Sequence, residues 1–207
     1  MTQTEFITAY AQAAVDSQKL TNVPALFTLG QAGLESGWGQ FVFENNFFGI
    51  KADSSWTGKK QLLRTHEILD DPEKYKSRFP EVINVTPSAN GMYDYYVRDY
   101  FRSYDSPEEG FTDHGNFLVN NSRYAEAFKY ADDPIKFSNE IAKAGYATAP
   151  NYAQSLASSI LQVIQNIPDE IKTIFENIET VVKKNGVGTA FFLIGLFLTL
   201  ALLQEGK

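Results

Sequence analysis

From Asn22 to Leu34 the chain carries no charge, and then it meets a single carboxylic acid: Ala32-Gly33-Leu34-Glu35-Ser36-Gly37-Trp38-Gly39. Pro24 suits a helix start, Leu26, Leu29, Gly33 and Leu34 keep helical spacing, and Ser36-Gly37 is a stop. The run therefore predicts a buried helix that delivers one acid at its C-terminal end. Two features would hold that acid's proton near neutral pH. The helix dipole disfavours a negative charge at this end, and Leu34, Trp38 and Phe41 can desolvate it. Taken alone, the residue also fits an ordinary surface glutamate at a helix end.

Around this run the chain alternates between helical and extended patterns. Residues 4–20 read as a helix with Phe6, Ile7, Tyr10, Ala13, Ala14 and Leu20 on one side. Residues 40–58 read as loop. Lys59 to Ile68 and Ile83 to Tyr104 read as strand or hairpin, with Asn90-Gly91 as a turn and Pro72, Pro80 and Pro87 punctuating the insert between them. Ser106-Pro107-Glu108-Glu109 opens another helix, Phe137, Ile141 and Ala144 mark one closed by Gly145, and Tyr152 to Ile164 is a further one. The expected class is α+β, mainly helical.

Charge and composition exclude several partners. The net charge is −7, which argues against nucleic acid, whose phosphates require a basic surface. There are no cysteines, so disulfides and thiolate chemistry are out. The two histidines, His66 and His114, are far apart, a structural zinc site is not expected, and nothing points to a cofactor. His114 shares a helix with apolar partners and reads as a satisfied structural histidine. Trp56, in a polar loop, is a candidate for stacking on a ligand ring.

The C-terminal region is of another kind. Residues 166–185 form an amphipathic stretch, with Ile167, Ile171, Ile174, Phe175, Ile178, Val181 and Val182 on one stripe, and read as a helical stalk. Gly186 to Leu203 is 18 residues without a charge. As a helix it would be roughly 27 Å long, near the ~30 Å of a bilayer core, so a transmembrane helix is expected over 186–204. The N-terminus lacks a basic region and a long apolar one, so no export signal is expected there.

Six segments together resemble the glucosaminidases of bacterial autolysins and flagellar rod-associated peptidoglycan hydrolases, glycoside hydrolase family 73. They are Gln31 to Gly39, Asn45-Asn46-Phe47-Phe48-Gly49-Ile50-Lys51, Trp56-Thr57-Gly58, Thr65-His66-Glu67, Phe101 to Ser106, and Ala144 to Tyr152. The resemblance covers roughly residues 4–164 and implies a lysozyme-like catalytic domain over 1–165, with a helical lobe, a small β-lobe and a cleft between them. The insert at about 70–97 is longer than the family pattern leads one to expect.

The resemblance implies an endo-β-N-acetylglucosaminidase acting on peptidoglycan glycan strands. Glu35 would be the proton donor. Glu67 would be the second carboxylate, acting as base on a water or stabilising the oxocarbenium-like transition state, with Asp70, Asp71, Glu73 and Glu81 as nearby rivals. If the substrate's own N-acetyl oxygen attacks instead, Tyr146 and Tyr152 are the candidates to hold the acetamido group. Asn46, Phe48, Gly49 and Lys51 would shape the cleft floor, with one of Phe47 and Phe48 in the core; Trp38 would pack under Glu35 or line the sugar path, and Trp56 would stack on a sugar. Because the domain is acidic, wall affinity would come from the cleft rather than from the overall field.

The same fold also suits an N-acetylmuramidase or lytic transglycosylase, and a catalytically silent glycan-binding membrane protein is a third reading. Lys183-Lys184 precede the apolar segment, so positive-inside logic would keep the domain on the cytoplasmic side, with the bilayer as a second partner. A tail-anchored lysin of this kind fits a phage virion or lysis enzyme, with viral membrane or capsid proteins as neighbours. A bacterial autolysin on the inner membrane, exported by another route, is the cellular alternative.

Overall fold

The computed structural model describes residues 1–147 and 149–175. Helix α1 spans Gln3–Thr21 and α2 spans Ala25–Ser36. Strands β1 (Lys60–Leu69), β2 (Glu81–Pro87) and β3 (Tyr93–Arg102) follow. Helices α3 (Pro107–Asn120), α4 (Pro134–Lys143) and α5 (Tyr152–Asn166) complete the order.

Local chemistry accounts for most of these boundaries. Thr2 and Glu5 close a reciprocal capping box on α1, and Asn22 ends it in the left-handed region at φ 59°. Ser106 caps α3 and Asp133 caps α4, each followed by proline at the first helical position. Gly37, at φ 59°, stops α2. Between α3 and α4 the chain makes two short 3-10 turns, Ser122–Tyr124 and Ala127–Tyr130, for which the sequence had offered no prediction.

The helices form the main core. α1 packs against α2 and α3, and α5 packs against α2 and α4. Phe6, Phe27, Leu29, Phe111, Phe137, Ile141, Leu156 and Ile160 are all buried there. The helix α2 is buried along nearly its whole length, as its missing charges require.

The sheet is antiparallel in the order β1-β3-β2. Asn90-Gly91 makes the β2–β3 turn, with Asn90 at φ 55° and Gly91 at φ 73°. A smaller core of Tyr75, Tyr95 and Val97 covers one face, and Phe79 and Tyr75 come from the insert between β1 and β2. That insert, expected to be irregular, is therefore a lid of side chains over the sheet.

One short segment fastens the two cores together. Phe47 and Phe48 lie in the helical core, and Lys51 bridges to Phe101 on β3. The buried Asn46 side chain accepts from the Ile50 N–H at 3.0 Å and donates to the carbonyls of Ile50 and Arg102, both at 2.9 Å.

Of the stalk expected over 166–185, residues 166–175 are described, and they do not stand away from the domain. They run through a 3-10 turn at Asp169–Ile174, with Ile167 and Phe175 buried in the main core. The described part of the apolar stripe, Ile167, Ile171, Ile174 and Phe175, packs on the domain's own body. Among the described residues no helix is long and apolar enough to cross a membrane. The remainder of the stalk and the span expected at 186–204 lie outside the described residues.

Candidate active site

Glu35 is the penultimate residue of α2 and keeps part of its surface open to solvent. Protein atoms crowd its other sides, and this desolvation pushes its pKa above the ordinary carboxylate value. One opposing contact lowers it: the Tyr152 hydroxyl donates to Glu35 Oε1 at 2.8 Å. The Gln31 amide in turn donates to that hydroxyl at 2.8 Å. Because the hydroxyl oxygen receives the amide hydrogen, its own hydrogen is directed at Glu35. The other carboxyl oxygen is left for a ligand.

The relay is built by packing. Gln31 and Glu35 are four residues apart on one helix, so they share a face. Tyr152 opens α5, and the close approach of α5 to α2 places its ring at the end of that face. Tyr146 lies parallel to Tyr152, with ring centroids 5.9 Å apart and planes at 11°. Burial pushes the Tyr146 hydroxyl well above the usual phenol value, with the nearby Glu35 charge adding to it; the same two causes act on Tyr152. Both phenols are therefore neutral donors at any working pH.

Glu67 belongs to the sheet. Lys51 Nζ lies 2.7 Å from Glu67 Oε1 and 3.0 Å from Asp99 Oδ2. Burial disfavours the Lys51 ammonium, but the two carboxylates outweigh this and raise its pKa above the ordinary lysine value. Among the described residues no hydrogen bond or ion pair joins Glu67 to Glu35.

The other expected site residues divide between lining and scaffold. Trp38, itself at φ 57°, lays its ring against Gly33 and meets Phe6 edge-on at 5.6 Å. Phe41, expected to shield Glu35, is 67% exposed. The Asn46 amide is consumed by backbone contacts, and Phe48 is buried, stacked on the His114 ring at 3.8 Å. Gly49 adopts φ 62° with nothing within 4 Å of where a Cβ would stand, so its backbone faces open space. Trp56 lies against the end of β3. The Arg102 guanidinium covers its ring at 4.3 Å, and it lines a concavity of about 500 Å³ with Tyr104, Glu108 and Asp113. That concavity includes neither Glu35 nor Glu67.

His114 is buried as predicted, but it is not satisfied: among the described residues neither ring nitrogen has a hydrogen-bond partner. Phe48 and Phe27 flank it instead, and burial pushes its pKa down to about 3. Sequence reasoning missed Gln31 and Asp99. The i, i+4 spacing of Gln31 and Glu35 was a usable signal for the first; Asp99 had none beyond strand alternation.

The family model described as mannosyl-glycoprotein endo-beta-N-acetylglucosaminidase matches residues 11–165. The chain belongs to the glucosaminidase family. This glucosaminidase is 33% identical over 166 residues to the peptidoglycan hydrolase FlgJ of Vibrio cholerae, a match covering 77% of this chain and 43% of that protein. With FlgJ of Vibrio parahaemolyticus it is 34% identical over 168 residues, covering 78% and 46%. The chain thus spans less than half the length of these relatives.

Two solved structures are similar to the glucosaminidase. One is the C-terminally truncated glycoside hydrolase domain of Salmonella typhimurium FlgJ, at 32% identity and a TM-score of 0.59, covering 78% of this chain and 97% of that one. The other is a peptidoglycan hydrolase mutant from Sphingomonas sp. A1, at 32% identity and a TM-score of 0.60, covering 79% and 97%. The glucosaminidase is a glycoside hydrolase, with the mainly helical, lysozyme-like α+β fold that the six segments implied.

Proposed function

We propose that this glucosaminidase is an endo-β-N-acetylglucosaminidase that cuts the glycan strands of peptidoglycan, with Glu35 as its general acid. The observation that carries this is the Gln31–Tyr152–Glu35 relay at an open helix end, with a carboxyl group whose pKa is raised by desolvation. The sugar oxygen is a poor leaving group and must be protonated as its bond to the anomeric carbon breaks. Glu35 gives that proton from the oxygen not held by Tyr152, and the Tyr152 hydroxyl steadies the carboxylate that forms.

Glu67 is the second carboxylate. It accepts a proton from the water that attacks the anomeric carbon, or it stabilises the positive charge that develops there. The variant route is attack by the substrate's own N-acetyl oxygen; Tyr146, stacked on Tyr152, would then hold the acetamido group, since the Tyr152 hydroxyl already donates to Glu35. Peptidoglycan as substrate is supported by the names of the relatives.

The test is product analysis on purified sacculi. GlcNAc reducing ends are expected, and Glu35→Gln should lower the rate by about 10²–10⁴-fold, the usual worth of a general acid. MurNAc or anhydro-MurNAc ends would instead indicate a muramidase or lytic transglycosylase, and binding without soluble fragments a silent glycan-binding protein.

We also propose that the uncharged segment 186–203 attaches the domain to a bilayer, either a virion membrane or the bacterial inner membrane. Recovery of the full chain in an alkali-washed membrane fraction, and its loss when that segment is deleted, is the expected result. Presence in purified phage particles supports the viral setting; fractionation to the periplasm of uninfected cells counts against it.

A further inference from the structure

The geometry points to Asp99 as the positioning residue of the sheet carboxylate: through Lys51 it fixes where Glu67 stands during the reaction. This rests on Glu67 being the second carboxylate, as proposed above.

The strand register explains why an intermediary is needed. Glu67 pairs with Tyr95 and Asp99 pairs with Leu63, so the two acids share one face of the sheet. They are four residues apart along it, roughly 13 Å at the rise of a β-strand. That is the separation of their backbones; the two carboxylates lean toward each other and meet on the Lys51 ammonium, which stands 2.7 Å from one and 3.0 Å from the other.

A lone, solvent-open Lys–Glu pair holds neither flexible side chain still. Lys51 is 42% exposed and Glu67 30%, so by themselves they form such a pair. Asp99 changes this. It is only 18% exposed, and its Oδ1 accepts the Tyr100 N–H at 2.8 Å. The backbone on either side of Lys51 is pinned to the same strand: the Ala52 N–H donates to the Tyr100 carbonyl at 2.8 Å, and the Arg102 N–H to the Ile50 carbonyl at 2.9 Å. Strand β3 therefore holds Lys51 at both ends, and Glu67 docks on an ammonium whose place is set. Asp99→Asn keeps the size and shape of the side chain and leaves the sheet's buried cluster of Tyr75, Tyr95 and Val97 untouched.

The experiment measures kcat and KM of the full chain on a defined glycan, at a temperature where every variant is folded. Asp99→Asn should lower kcat by about tenfold, less than the ~10²-fold of a full 1 Å misplacement, with KM and thermal midpoint unchanged. Asp99→Glu should recover part of the loss. In a Glu67→Gln background, Asp99→Asn should cost nothing more, because the group it positions is gone. Wild-type kcat in Asp99→Asn, or an undiminished loss in the Glu67→Gln background, overturns the positioning role alone. Unchanged kcat in Glu67→Gln overturns the role of Glu67, and this inference with it.

Discussion

Replacing Gly30 by alanine tests whether the contact between α2 and α5 sets the catalytic geometry. A Cβ at Gly30 would stand 2.7 Å from Ile160 Cγ1 and 3.0 Å from both the Cα and the backbone nitrogen of Ile160. Carbon atoms settle at about 3.5–4.0 Å, so α5 must retreat by about 0.5–1 Å. Overpacking of this kind costs about 1–3 kcal/mol, against a gain of about 1 kcal/mol for removing a mid-helix glycine. The expected net loss is about 1 kcal/mol, or about 2–4 °C in thermal midpoint for a domain of this size. The functional effect should be larger. Tyr152 opens α5 and holds Glu35 through a bond of 2.8 Å, and a retreat of that size breaks it, with a rate loss on the order of 10²-fold for a 1 Å misplacement. Adding Ile160→Ala removes the 2.7 Å contact but not the two backbone contacts, so recovery should be partial. Calorimetry and glycan-release assays read the two effects separately. A Gly30→Ala protein with wild-type midpoint and wild-type rate would refute the link.

Tyr152→Phe removes the contact that lowers the Glu35 pKa, so the alkaline limb of the pH–rate profile should move to higher pH, with a lower maximal rate; an unmoved limb would sever Tyr152 from the acid. The same change leaves the buried Gln31 amide without its acceptor, at a cost of about 1–3 kcal/mol in urea unfolding. His114→Leu addresses pH and stability. The folded-state pKa of His114 lies near 3, below its unfolded value of about 6.5, so its contribution is complete above about 6.5 and lost as pH falls toward 3. The variant should lose less stability than wild type between pH 7 and pH 4.5, and identical losses would show that His114 carries no linkage.

Helix boundaries were legible because caps are local chemistry: Pro24, Gly37 and Ser106-Pro107 each act within a turn. Strand β3 was legible from the alternation of Tyr93, Tyr95 and Val97 with polar residues, β1 from Leu62, Leu63 and Ile68, and Asn90-Gly91 marked the turn between β2 and β3. The insert from Asp70 to Pro80 was not, since Tyr75 and Phe79 are ordered by burial against Tyr95, which lies some twenty residues on. For the same reason the stripe at Ile167 to Phe175 read as a stalk whose partner was undecided: its partner is the core made by α1 to α5. At the site, Glu35 was legible as the one acid closing an uncharged helix. Asp99 was not, because its meaning comes only from the register that sets it beside Lys51. His114 shows the reverse limit, since spacing placed it inside but could not say that aromatic faces would take the place of hydrogen-bond partners.

The acid and the tyrosine that holds it are 117 residues apart in the chain. A partly folded or still-emerging polypeptide has the glutamate but not the phenol that fixes its position. The Gln31–Tyr152–Glu35 relay is therefore complete only once the last helix, α5, has packed against α2.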